Sequence, residues 1–240
     1  MLYRAVRRFN VLKAVLGRET FHWVERHIAT EFHGSSYGGW AIAKSSLTEN
    51  SIVYSIGIGQ DATFDQSLMD RYKLKIHAYD PTPKSIAWIR SNLHNPGFVF
   101  HPIAISERNG FLSFFEPDPN SADQVSASVH QSPRARKTYE VPSQTFDVML
   151  KSNGHSYCDV LKMDIEGAEY PVLEQLCKNG LIGKVKQLLV EFHHFFPGIG
   201  IDKTNAIVKE LRRNDFRIAW ISRTNHEYLF VRSDFASLRN

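Results

Sequence analysis

Residues 52–62 read IVYSIGIGQDA, and the way this run ends sets the fold. Ile52, Val53, Tyr54 and Ile56 make a short apolar stretch that stops at Gly57 and Gly59. An apolar run of strand length giving way to paired glycines predicts a buried parallel strand, a tight loop and then a helix. Glycine carries no Cβ, so the loop can take positive φ and a ligand can lie directly on the backbone. The run therefore predicts a nucleoside- or dinucleotide-binding turn, with an ordinary strand–turn–helix corner as the plain alternative.

Working outward, residues 63–72 have helical spacing, with Phe64, Leu68, Met69 and Tyr72 on one face. Residues 75–79 form a second strand, stopped by Asp80-Pro81-Thr82-Pro83 because proline cannot continue a ladder. A helix over 85–93, a third strand over 98–105 and an extra hairpin strand over 110–115 follow. Residues 116–142 hold four prolines, many serines and the cluster Arg134, Arg136, Lys137, which predicts a long functional or mobile loop. Order returns with a helix over 144–151, a fourth strand over 159–165 and a helix over 168–177, with Pro171 in its first turn. A fifth strand over 185–192 precedes a helix capped by Asp202 and running to Arg213. Residues 216–222 and 227–232 read as an antiparallel hairpin. Upstream, residues 1–30 read as helical, with Phe21, Val24 and Ile28 on one face, and residues 33–40 read as a loop. Strands alternating with helices predict an α/β, doubly wound, mostly parallel sheet, and the closing hairpin inserts one strand antiparallel. The expected division is an N-terminal helical extension over 1–45 and a Rossmann-like domain over 46–240.

Composition narrows the function. A chain of 240 residues, 42% hydrophobic and 22% charged, has enough apolar surface for one large α/β core. A net charge of +4 is spread too thinly to predict a nucleic-acid partner. Two cysteines, Cys158 and Cys177, give no framework of bridges and fit a reducing, cytoplasmic setting. No run of 18 apolar residues occurs, so a transmembrane segment is not expected. The N-terminus mixes Arg4, Arg7, Arg8 and Lys13 with Leu2, Val6, Phe9, Leu12 and Leu16, which is not a secretory signal. It suits a helix packed on the domain, or a peripheral contact with a membrane surface.

GIGQDA fits the dinucleotide pattern G-x-G-x-x-A at Gly57, Gly59 and Ala62, and Asp80 ends the next strand where a ribose-binding acid belongs. A nicotinamide cofactor is therefore one reading. Against it, Asp61 would set a negative charge at the helix N-terminus where a pyrophosphate should lie. S-adenosylmethionine has no phosphate and carries a sulfonium and an ammonium, so acids near the loop suit it better.

Four stretches then bring a family into view: SSYGGW over 35–40, YSIGIGQDATFD over 54–65, YDPTP over 79–83 and LKMDIEGAEY over 161–170. With EFHH over 191–194, the chain resembles the FkbM-type S-adenosylmethionine-dependent methyltransferases. LKMDIEGAE is the most specific of these stretches. The resemblance implies a Rossmann-like class I methyltransferase fold, an S-adenosylmethionine cofactor and transfer to a hydroxyl oxygen. It places cofactor binding on Gly57, Gly59, Asp61 and Asp80, with Asp164 beside the methyl donor. Ser55 stands where an acid commonly opens the glycine motif, so Asp61, Asp65 or Asp164 is expected to supply that charge.

Methyl transfer is an in-line displacement, and alignment of the reacting groups can contribute about 7–11 kcal/mol. An alcohol acceptor must also lose a proton to a base or beside a metal. Asp164 and Glu166 close the fourth strand; Glu191, His193 and His194 close the fifth. Parallel neighbours bring these ends together where ligands bind in such sheets, and residues 164 and 166 project to one side of a strand. The expected catalytic set is His193 as general base, since an unperturbed imidazole titrates near 6.5, Asp164 at the sulfonium end and Glu166 toward the acceptor. The alternatives are a divalent metal held among Asp164, Glu166, Glu191 and His193, or a structural role in which Glu166-Gly167 caps the next helix. Lys162 is expected in a buried ion pair, and Tyr37 and Trp40 at the rim of an acceptor pocket or packed on the sheet. The leading expectation is O-methylation of a small molecule or glycan without a metal. An NAD-dependent oxidoreductase and a non-catalytic nucleoside-binding module are the competitors.

Overall fold

The computed structural model describes residues 19–116 and 137–235. The chain enters through β1 (Thr30–His33) and β2 (Trp40–Ala43), which pair antiparallel. The glycine run then opens the main sheet. β3 (Val53–Ile56), α1 (Thr63–Tyr72), β4 (Ile76–Tyr79), α2 (Pro83–Asn92) and β5 (Phe98–His101) alternate as expected. β6 (Ala104–Ile105), β7 (Gly110–Glu116) and β8 (Lys137–Gln144) form a separate small sheet in the order β6-β8-β7. The second half runs α3 (Phe146–Ser152), β9 (Cys158–Met163), α4 (Glu169–Lys178), β10 (Val185–Glu191), α5 (Ile201–Arg213), β11 (Phe216–Ile221) and β12 (Glu227–Arg232).

The seven-stranded sheet has the order β11-β12-β10-β9-β3-β4-β5. β12 is antiparallel to both β10 and β11, and the other neighbours are parallel. All residues of β3 and β9 are buried, as strands covered on both faces must be. On one face Phe146, Leu173 and Ile207 pack against Tyr54, Leu161 and Leu188. On the other, Trp40, Phe64 and Ile89 pack against Val53, Val160 and Leu189. The strand order reverses between β3 and β9, so the loops leaving these two strands part and open a crevice.

Several expectations are corrected. Residues 1–18 lie outside the described residues, and residues 19–29 contain no helix. From Phe21 to Ala29, exposed and half-buried positions alternate with period two, the mark of an extended chain. Glu25 and Arg26 both donate their backbone N–H to the Ile218 carbonyl, at 2.8 and 3.0 Å. The Glu25 carboxylate accepts from the Ile218 N–H and from Arg212 Nε. This segment is shaped by the strand beside it rather than by its own periodicity. Trp40, Ile42 and Ala43 of β2 belong to the sheet's own core, and the Ala43 N–H is held by the Gln187 side chain.

The expected strand over 98–105 divides at Pro102, which has no N–H for a ladder. Residues 137–142 of the expected loop belong to β8; Arg134 and Arg136 lie outside the described residues. β9 ends at Met163, so Asp164 and Glu166 are loop residues, and Glu166 has φ of 53°. Gly200 precedes α5, and Asp202 sits within its first turn without capping it. Among the described residues, no helix is long and apolar enough to cross a membrane.

One polar group beneath the glycine loop gives a stability test. Asp65 of α1 is buried, and its Oδ1 has no hydrogen-bond partner. Burial pushes its carboxyl up to about 6 from 3.8, with the Lys162 charge acting in the opposite direction. A folded-state pKa above the unfolded one means stability is lost as pH rises through the folded value. The shift corresponds to about 3 kcal/mol of strain from ionising Asp65 at neutral pH. Asp65→Asn is expected to melt higher than the wild type at pH 7.5, with the difference closing near pH 4. Thermal melts across that range check this. A variant that is less stable at pH 7.5 would show that ionised Asp65 is a needed partner for Lys162.

Candidate active site

The crevice begins at Gly57, whose φ is +81°. A Cβ there would sit 1.6 Å from the Asp164 carbonyl oxygen, so the loops after β3 and β9 touch at this residue. Its requirement for glycine comes from packing rather than from ligand access. Gly59 is different: its φ is +60°, and a Cβ would meet nothing within 4 Å. Of the two expected cofactor glycines, Gly59 is the one with open space over its backbone.

Asp80, at the tip of β4, fastens this loop. Its Oδ2 accepts from the Ile58 and Gly59 N–H groups at 3.0 and 2.9 Å. Its Oδ1 accepts from the Thr82 N–H and Thr82 Oγ1 at 2.9 and 2.7 Å. Four donors meet the roughly four lone-pair sites of a carboxylate. Asp80 thus clamps the glycine loop while also lining the crevice, an additional duty the sequence did not suggest.

Asp61 is engaged by its own neighbours. Its Oδ1 accepts from the Thr63 N–H and hydroxyl, tying the start of α1. Its Oδ2 accepts from Ser35 Oγ at 2.7 Å. A Cβ on Gly38 would fall 2.7 Å from the Asp61 carboxyl carbon, so residues 34–39 lie tightly over it. Burial alone would raise this carboxyl's pKa, but the bonds from Thr63 and Ser35 hold it below the usual value. Asp61 anchors the SSYGGW loop. In that loop Tyr37 is exposed, whereas Trp40 is buried in the core.

Between Asp80 and Asp164 the crevice has two kinds of wall. Ile105, Leu112 and Phe114 supply apolar lining; Asp80, Asp164 and Glu166 supply acidic lining. Among the described residues, no Lys or Arg lines it. Lys162 is buried within β9; it donates to the Gly57 carbonyl and lies 5.8 Å from the Trp40 ring centroid. It supports the loop from below, and among the described residues it forms none of the salt bridges expected of a buried ion pair.

At the acidic end the structure gathers the expected catalytic residues. His193 Nε2 stands 3.5 Å from Glu166 Oε2, 3.7 Å from Asp164 Oδ1 and 4.0 Å from Glu191 Oε1. Asp164, Glu191 and His193 place their ligand atoms within 4.8 Å of one another. His193 is itself buried, and its orientation comes from Glu169, which the sequence reading did not single out. Glu169 is fully buried in the first turn of α4. Its Oε1 accepts the His193 backbone N–H at 2.9 Å and faces His193 Nδ1 at 3.1 Å; its Oε2 accepts the Gly167 N–H. The signal lay in the final acid of LKMDIEGAE, a charge on the first turn of a helix otherwise buried by apolar residues.

These surroundings change the state expected of His193. Burial lowers its basicity, but Glu169, then Asp164 and Glu191, push its pKa up to about 10. Burial pushes Glu191 up to about 9, and the Asp164 charge adds to it. The imidazole therefore carries a proton at neutral pH with the side chains as they stand, rather than titrating near 6.5. His194 does not join this set. It turns to the far side of the loop, its Nε2 2.8 Å from Glu19 Oε1.

The Methyltransferase FkbM domain family matches residues 42–218. The chain belongs to this family. The matched span contains Gly57, Asp80, Asp164, Glu169 and His193, and so the whole crevice. Over 174 residues the chain is 30% identical to the probable methyltransferase-like protein 24 of Homo sapiens, covering 69% of this chain and 41% of that protein. It is 27% identical over 187 residues to the Rattus norvegicus protein of the same name, covering 75% and 45%. The chain thus spans less than half the length of these curated relatives. The crystal structure of methyltransferase FkbM from Methylobacillus flagellatus KT aligns with a TM-score of 0.49 and 15% identity, over 77% of this chain and 44% of that one.

In this FkbM-family chain, Glu169 is the residue whose loss should be felt most in stability. Removing one partner of a buried charged pair costs about 3–5 kcal/mol. Glu169→Ala also leaves the Gly167 and His193 N–H groups without their acceptor. Urea unfolding is expected to show a loss of this size. A loss under about 1 kcal/mol, the range of exposed pairs, would rule out a buried Glu169–His193 pair.

Proposed function

We propose that the chain is an S-adenosylmethionine-dependent methyltransferase that methylates a hydroxyl oxygen on a small molecule or glycan. The observation that carries the reading is the composition of the crevice at the strand-order reversal. It is lined by apolar Ile105, Leu112 and Phe114 and by three carboxylates, with no Lys or Arg among the described lining residues, and the loop above it has open backbone at Gly59. A pyrophosphate seeks positive groups and free helix N–H groups. Here the start of α1 is already occupied by the Asp61 carboxylate. A ligand with an aromatic base, a sugar and a positive end fits these walls better than a dinucleotide does. That chemistry supports S-adenosylmethionine over the nicotinamide alternative.

The residues that would hold it are Gly57 and Gly59 in the turn, Asp80 beside the sugar, Asp61 through the SSYGGW loop it fastens, and Asp164 at the positive end. When bound, the cofactor supplies a methyl carbon made electrophilic by its sulfonium. The chain's own part is positioning and proton handling. In this reading Glu166 is turned to the acceptor and Asp164 to the cofactor. His193 presents Nε2 to this pair because Glu169 engages Nδ1. Nε2 can take the acceptor's hydroxyl proton only when the imidazole is neutral. In this reading His193 therefore first gives its own proton to solvent, when a positively charged ligand lies beside Asp164 and lowers the imidazole's basicity. Asp164 and Glu166 then hold the charge of the imidazolium that forms. Tyr37, exposed at the tip of its loop, is available to the acceptor.

Isothermal titration with S-adenosylhomocysteine and with NAD tests the cofactor. One S-adenosylhomocysteine per chain is expected, with Asp80→Ala weakening it at least tenfold. Binding of NAD alone would overturn the assignment. With an acceptor that supports turnover, His193→Ala is expected to lower kcat by about 10²–10⁴, the range for a proton-transfer group. Its affinity for S-adenosylhomocysteine should stay within a few-fold of the wild type. A large loss of that affinity would remove His193 from proton handling and place it in cofactor binding.

A further inference from the structure

We propose that Glu19, His194 and His226 form a divalent metal site, suited to zinc, that staples the segment before β1 to the sheet. Their carboxylate and imidazole atoms all lie within 4.8 Å of one another. The three come from separate parts of the chain: the segment leading to β1, the loop after β10 and the β11–β12 turn. His194 Nε2 is 2.8 Å from Glu19 Oε1, and His226 Nε2 is 3.6 Å from Glu19 Oε2. Two imidazoles thus turn the same nitrogen toward the two oxygens of one carboxylate.

A second observation points to a ligand. The His194 side chain is 2% exposed, and neither of its ring nitrogens makes a hydrogen bond among the described residues, the short approach to Glu19 included. Buried ring nitrogens are nearly always satisfied. Two histidines and one carboxylate are a common donor set for zinc and for related divalent metals, with positions left for water. The neighbouring groups suit such a site. The Thr20 N–H donates to Glu19 Oε1 at 2.9 Å and fixes that carboxylate. Asn225 Nδ2 donates to the Thr20 carbonyl and holds the hairpin turn against it. The Phe195 ring stacks on His226 at 4.7 Å and covers one side.

The cluster is separate from the methyl-transfer crevice, and two of its three members, Glu19 and His226, lie outside the span matched by the family. Its effect would be on order: a metal binding only the folded chain raises its stability. Segment 19–29, which has no helix of its own, would be tied at its start.

The test is zinc titration of the full chain after dialysis against chelator, followed by calorimetry and thermal melting, with Co2+ absorption reporting the ligand field. One Zn2+ per chain is expected, with a higher melting temperature and a Co2+ spectrum of low coordination number. His226→Ala, at a half-buried position whose truncation should be tolerated, is expected to weaken Zn2+ at least tenfold and abolish the thermal upshift. His194→Gln should do the same. Glu191→Gln serves as a comparison, because Asp164, Glu191 and His193 offer another donor set. No saturable Zn2+ binding by the wild type would overturn the proposal. So would binding lost in Glu191→Gln but retained in His226→Ala. The first result leaves the reading of the crevice unaffected. The second would make His193 a metal ligand and revise its role there, while the S-adenosylhomocysteine titration would still test the cofactor separately.

Discussion

The loops after β3 and β9 meet where Gly57 leaves no room for a side chain against the Asp164 carbonyl, and the crevice depends on that contact. Gly57 donates its N–H to the Tyr79 carbonyl at 2.9 Å, and its own carbonyl receives Lys162. Asp164 donates its N–H to the Ile56 carbonyl at 3.0 Å. Three parallel strands are thereby joined tip to tip by backbone bonds. Asp80 and Asp164 hang from fixed points as a result, which is what a site needs if its charges are to hold position. A side chain at residue 57 would push the β9 loop away and carry Asp164 and Glu166 with it.

From that junction the carboxylates divide by how fully they are satisfied. Asp80 and Asp61 have their acceptor sites filled by loop amides and hydroxyls. They hold the backbone of the glycine turn and of residues 34–39. Asp164 and Glu191 have no hydrogen-bond donor among the described residues and face His193 at 3.7 and 4.0 Å. A satisfied carboxylate rigidifies its surroundings, whereas an under-satisfied, partly buried one is costly without a positive partner. The first pair holds the turn and loop on which the proposed cofactor site would rest. Beside the second pair, the ionisation of Glu191 and His193 is displaced, as ionisation often is at functional sites.

Much of the fold was legible because local pattern and tertiary context agree. β3, α1, β4, β9 and β10 were all readable as apolar runs or helical faces, and the observed elements match them to within a residue or two. The family could be read from LKMDIEGAEY and the glycine run for the same reason: these stretches carry the tight contacts. Segment 19–29 was misread because its shape is set by Ile218, nearly two hundred residues away. Asp80 looked like a ribose acid, and nothing in YDPTP distinguishes that role from clamping Ile58 and Gly59, since both want a carboxylate at a strand tip. The sequence could set His193 at a strand end beside Asp164 and Glu166, but it could not give the imidazole's charge. Its ionisation is fixed by Glu169, which the sequence presents only as one more acid on an amphipathic helix.

Concentrating charge at the strand tips is tolerable because the strand bodies are so apolar. β9 and the centre of β10 are buried throughout and flanked by packed helices on both faces. They supply stability that the tips can then draw down. A chain optimised for stability alone would not set Asp164, Glu166, Glu169 and Glu191 around one imidazole, since like charges brought together oppose folding. That the arrangement persists against this cost, next to an otherwise well-satisfied glycine loop, argues that the tips are shaped by chemistry rather than by packing. Glu169 sits on the boundary between the two demands. It satisfies two backbone N–H groups that the fold would otherwise leave bare, and by the same bonds fixes which nitrogen of His193 looks into the crevice.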